Sequence, residues 1–105
     1  MTINEIAKLI HENSINHGWW ETERKFAEIA ALIHTEISEA VEADRIKAPL
    51  VYYKNGKPEG VAVELADCVI RIFDYLAHEG VDIEEVIAQK HAYNLTREYK
   101  HGKAY

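Results

Sequence analysis

One cysteine, two prolines and five glycines in 105 residues leave no material for a disulfide framework, a proline-rich arm or a glycine-rich chain. Cys68 cannot close an internal disulfide, and among Ala66, Val69 and Ile70 it reads as a small buried hydrophobe. No apolar run is long enough to span a bilayer, so no membrane partner is expected. The polar start, Met1-Thr2-Ile3-Asn4-Glu5, lacks the charged-then-apolar layout of a signal peptide, and a cytoplasmic location is the expectation. Basic residues are in deficit, with a formal net charge of −6, which argues against a nucleic-acid polymer as partner. A phosphorylated small molecule stays open, because divalent ions on acidic side chains reverse the local sign. The chain has no Gly-rich phosphate loop, no His-Glu-x-x-His and no Cys-x-x-Cys. Glu98-x-x-His101 occurs once, at the polar end, whereas a di-iron bundle needs two such motifs projecting inward.

What is present is a helical pattern. With 48% hydrophobic residues the chain is globular, and its length suits one domain over residues 1–105. Thr2 with Glu5 forms a capping box, and Ile3, Ile6, Ala7 and Ile10 give the stripe of a first helix that stops before Asn16-His17-Gly18. A longer helix over about 23–45 carries Phe26, Ile29, Ala30, Ile33, Ile37, Ala40 and Val41 at a 3.6-residue period. Pro49, Asn55-Gly56 and Pro58 interrupt the pattern; Asn55-Gly56 signals a turn, but one short extended run predicts no sheet. Pro58 suits the first turn of a third helix running to about Glu79, apolar over most of its circumference and hence central. Asp82 with Glu85 caps a fourth helix to about Tyr99, and Lys100 to Tyr105 form a polar tail. The expected fold is all-α, a bundle of four helices. Its mostly apolar third helix leaves surface for a homodimer or homotetramer to cover.

Two acidic pairs carry the chemistry: Glu36-x-x-Glu39 in the second helix and Glu64-x-x-Asp67 in the third. A spacing of three puts both carboxylates of a pair on one helical face, with Cβ atoms about 5–6 Å apart. Solvated carboxylates on an amphipathic helix are the ordinary reading of one such pair. The second pair, however, lies in the most apolar helix of the chain, where an unpartnered acid is costly. If the two helices are neighbours, Glu36, Glu39, Glu64 and Asp67 converge on one pocket. Four hard oxygen ligands suit Mg²⁺, with Mn²⁺ as substitute, and suit zinc poorly.

Other residues extend the site. Arg71, seven positions after Glu64, falls on nearly the same stripe and either neutralises a carboxylate or touches phosphate. Lys90, Asn94, Arg97 and His101 share one stripe of the last helix; they either hold anionic oxygens and a sugar or base edge, or simply complement a helix C-terminus. Trp19 and Trp20 either stack on a planar base or cover the edge of the core. His34 points away from the acids.

These residues resemble the MazG-like nucleoside triphosphate pyrophosphohydrolases of the all-α NTP pyrophosphatase superfamily. The likeness rests on Glu36-x-x-Glu39, Glu64-x-x-Asp67, then Lys90, Asn94 and Arg97, with the approach Leu32 to Ala40 and the end His101-Gly102-Lys103. It spans roughly 19–103, and the stretch 46–58 has no matching motif. The resemblance implies an oligomeric all-α enzyme with Mg²⁺ on the four acids. Its expected reaction cleaves (deoxy)nucleoside triphosphates between the α- and β-phosphates, giving the monophosphate and pyrophosphate, as nucleotide-pool house-cleaning. Glu36 or Glu39 would act as general base; Lys90 and Arg97 would steady phosphate charge and Asn94 the sugar or base. The competing reading is a non-enzymatic helical dimer, an interaction module whose acids are structural.

Overall fold

The computed structural model describes residues 1–102. It holds four α-helices, as the periodicity requires: α1 (Ile3–Asn16), α2 (Phe26–Arg45), α3 (Val61–His78) and α4 (Ile83–Leu95). A 3₁₀ turn over Tyr99–Gly102 follows. Thr2 caps α1 as expected: its hydroxyl accepts from the Glu5 N–H at 3.1 Å, and the Glu5 carboxylate accepts from the Thr2 N–H at 3.3 Å. Asp82 starts α4 by accepting from the Glu85 N–H at 3.1 Å.

The connection between α2 and α3 differs from the sequence expectation. Strands β1 (Tyr52–Lys54) and β2 (Lys57–Glu59) pair antiparallel, in the register Tyr52 with Glu59, Tyr53 with Pro58 and Lys54 with Lys57. Asn55 and Gly56 both take positive φ, 53° and 80°, the requirement of a tight two-residue hairpin turn. Pro58 therefore belongs to β2 and not to α3. It stands opposite Tyr53, one pair beyond the hydrogen-bonded pair that closes the turn, so its missing N–H removes no ladder bond. α3 instead begins after Gly60, whose φ is 118° and whose α-carbon faces the Leu50 carbonyl so closely that a Cβ would lie 2.2 Å from the oxygen.

α3 is central, packing along α2 on one side and α1 on the other. Ala7, Ile29, Ala40 and Cys68 are buried between these helices, which makes Cys68 the packed thiol its neighbours suggested. α4 is held differently. The Asn4 side chain accepts from the Ile83 N–H at 2.9 Å and donates to Asp82 at 2.8 Å and Glu84 at 3.0 Å, while Ile83 inserts at 2% exposure. Beyond Ile83 every residue of α4 is exposed. The radius of gyration is 16.3 Å, against about 13 Å for a compact chain of this length. Large apolar side chains stay open on all four helices, among them Leu9, Ile37, Val41, Leu65, Val69 and Ile87. Among the described residues no helix is long and apolar enough to cross a membrane.

Candidate active site

The α2–α3 contact brings the two acidic pairs face to face. Carboxylate oxygens of Glu36, Glu64 and Asp67 lie within 4.8 Å of one another. Glu39, more exposed, stands beside Glu64 at hydrogen-bonding range. Glu36 is buried at 6% exposure, while Glu64 and Asp67 are half-buried on the opposing helix.

Burial and the crowding of like charge both act on these acids. Burial first, then the neighbouring Glu39, Asp67 and Glu36 carboxylates, push Glu64 from 4.5 up to about 7. Asp67 is also raised, by burial and by Glu36, against the opposing pull of Arg71 and Lys57. The Arg71 Nε donates to a Glu36 oxygen at 2.8 Å, so of its two sequence-based roles the neutralising one is realised. One guanidinium on Glu36 and the ammonium of Lys57, set against four acids, leave the cluster short of positive charge. A donor set of hard carboxylate oxygens with that deficit fits a divalent cation such as Mg²⁺.

Grooves open on both sides of the acids. One, of about 600 Å³, runs between α1 and α3 from Glu36, Asp67 and Arg71 to Ser14, Trp19, Arg24 and Asp74. The other, about 450 Å³, lies between α2 and the hairpin and is walled by Glu39, Glu64, Ser38 and Tyr52. The stretch 46–58 that matched no motif thus supplies a wall beside the acids.

The two tryptophans part company. Trp19 is 56% exposed at the first groove. Trp20 is tied inward: its ring stacks on His78 at 3.8 Å, the Arg24 guanidinium lies over it at 4.9 Å, and its N–H donates to Asp74 at 3.1 Å. An indole so occupied covers the core edge, which leaves Trp19 as the free aromatic surface. Lys90 and Asn94 are exposed along α4, and Arg97 lies just beyond its end, so the expected helical stripe stops before Arg97; Lys90 and Arg97 sit over the Tyr93 ring at 4.9 and 5.8 Å. α4 packs on α1 and α3 but not on α2, so within one chain this stripe is not assembled with Glu36 and Glu39. The helix ends at Leu95, short of Tyr99; the His101 side chain and Lys103 lie outside what the structure describes.

The sequence reading overlooked Asp74 with His11, Ser14 and Arg24. A signal was available: Asp74 is an acid seven residues after Asp67 in the most apolar helix. His34 is exposed.

Comparison with known proteins gives one finding. The family model described as PRA-PH, phosphoribosyl-ATP pyrophosphohydrolase, matches residues 3–94. No curated protein and no solved structure matches significantly.

Proposed function

The chain belongs to the phosphoribosyl-ATP pyrophosphohydrolase family, within the MazG-like all-α NTP pyrophosphatase superfamily, and from that premise we propose that it hydrolyses a nucleoside triphosphate between the α- and β-phosphates. The products are a nucleoside monophosphate and pyrophosphate. The observation that carries this reading is the carboxylate cluster: Glu36, Glu64 and Asp67 within 4.8 Å, Glu39 beside them, and too little positive charge nearby.

Glu36, Glu39, Glu64 and Asp67 are the residues that would hold Mg²⁺, or Mn²⁺ in its place. When bound, the ion supplies charge compensation for triphosphate oxygens and lowers the pKa of water. Glu39 is the exposed acid of the set and Glu36 the buried one paired with Arg71, so Glu39 is better placed to take a proton from an attacking water. Arg71 holds the Glu36 carboxylate in place. Trp19 offers a face to the base from the α1–α3 groove, and Trp20 reaches that wall through Arg24, whose guanidinium lies 4.9 Å from the Trp20 ring and 5.9 Å from the Trp19 ring.

Lys90, Asn94 and Arg97 would bind phosphate and sugar in an assembled homodimer or homotetramer. Support comes from the exposure of α4 beyond Ile83, the open apolar side chains of α2 and α3, and the extended shape. The role we assign is clearing or regulating nucleotides in the cell interior.

The test is a panel of canonical and modified nucleoside triphosphates together with phosphoribosyl-ATP, each with Mg²⁺, read by product identity. Monophosphate plus pyrophosphate from at least one, abolished by EDTA, is the expected result. If none releases pyrophosphate, the reading fails and a non-enzymatic helical dimer takes its place.

A further inference from the structure

Asp74 is the second buried acid of the chain and belongs to neither acidic pair. His11 Nδ1 lies 2.7 Å from one of its oxygens, the Ser14 hydroxyl donates to the other at 2.7 Å, and the Trp20 N–H donates at 3.1 Å. The Arg24 guanidinium stands 3.8 Å away. A carboxylate offers about four lone-pair sites; His11, Ser14 and the Trp20 N–H, which reaches both oxygens at 3.1 and 3.2 Å, hydrogen-bond to it, and Arg24 adds a charge contact.

The partners come from α1 and from the segment joining α1 to α2, so one side chain fastens both to α3. For stability alone such a network is a poor device. A well-packed apolar replacement of a buried charged network is commonly neutral or better. The groups it fixes, however, reach the groove beside the acids: Ser14, Arg24 and Asp74 line that groove together with Trp19. Arg24, 12% exposed at its side chain, is pinned between Asp74 and the two indoles, at 4.9 Å from the Trp20 ring and 5.9 Å from Trp19.

We infer that Asp74 is a positioning residue for the nucleoside end of the substrate. It sets the place of Arg24, directly and through the Trp20 ring that backs it at 4.9 Å, and Arg24 with Trp19 forms the wall that meets the base and sugar. This inference rests on the pyrophosphohydrolase reading. Asp74 makes no hydrogen bond to any of the four clustered acids, so its removal acts on substrate binding and not on the phosphate chemistry.

The experiment is a double-mutant cycle of Asp74→Asn and Arg24→Gln, read as KM and kcat on the preferred nucleotide. Each single substitution raises KM about tenfold and leaves kcat within about twofold. The double variant is no worse than the worse single, because Asp74 acts through Arg24. An unchanged KM overturns the inference, as does a fall in kcat at constant KM, or fully multiplicative effects. Should Asp74→Asn not fold, His11→Gln takes its place; its rise in KM must vanish in the Arg24→Gln background, and persistence there refutes the assignment. A wild-type chain that releases no pyrophosphate defeats the hydrolase reading, whereas an active one with insensitive KM defeats this inference alone.

Discussion

Removing the Arg71 guanidinium tests the electrostatics of the acid cluster without touching a carboxylate. Arg71 Nε meets Glu36 at 2.8 Å, with side-chain exposures of 32% and 8%. Two unit charges about 4 Å apart attract by about 4 kcal/mol at an effective dielectric of 20, before desolvation is subtracted. Leaving a fully buried partner uncompensated costs about 3–5 kcal/mol, and the third of Arg71 still in water reduces that to about 2 kcal/mol. At about 4–8 °C per kcal/mol for a domain near this size, Arg71→Met melts about 8–16 °C below wild type in EDTA. Mg²⁺ then supplies the charge that the arginine no longer does, so it stabilises the variant more than the wild type. For scale, an ion at 100 times its Kd adds about 2.7 kcal/mol. Differential scanning calorimetry with and without the ion measures both quantities. Equal melting temperatures in EDTA, or a smaller Mg²⁺ effect on the variant, would refute the picture of a cation-starved cluster.

The raised Glu64 makes apo stability depend on pH: its folded-state value of about 7 exceeds the ordinary 4.5, so the folded chain keeps a proton that the unfolded chain releases. That contribution is complete below 4.5 and is lost as pH rises through about 7. Melting in EDTA from pH 5 to 8 should fall for wild type and stay flatter for Glu64→Gln; parallel curves would exclude Glu64 as the source. Gly60→Ala should destabilise by about 2 kcal/mol or more, since a Cβ meets the Leu50 carbonyl and φ is 118°; an unaltered urea midpoint would contradict the close approach. Asn4→Leu removes both amide acceptor bonds to the α4 start, at about 1 kcal/mol each. Amide hydrogen exchange should then show α4 opening more readily while α2 and α3 keep their protection, and uniform protection would count against the clasp.

Helix number and placement were legible because periodicity and capping are local properties. Thr2, Glu5, Asp82 and Glu85 carry their instructions within three residues, and the structure honours them. The acidic pairs were legible for the same reason, each being a one-turn pattern on a single helix. The hairpin escaped because its strands are three residues long and its second strand holds a proline. There a strong turn signal at Asn55-Gly56 outweighs weak strand propensity. Likewise, both tryptophans look equivalent as neighbours in sequence; only the positions of His78, Arg24 and Asp74 around one of them separate their roles.

By itself, the sequence determined that this chain is helical and that two carboxylate pairs each occupy one helix face, because a 3.6-residue turn leaves no other outcome. Tertiary structure alone decided that the pairs face each other with Arg71 on Glu36. It alone joined His11, Ser14, Trp20 and Arg24 on Asp74, and kept the α4 stripe apart from α2. The reason is range: backbone geometry acts over one turn of helix, whereas charge and packing select among partners up to 80 residues away, the separation of Asn4 from Glu84.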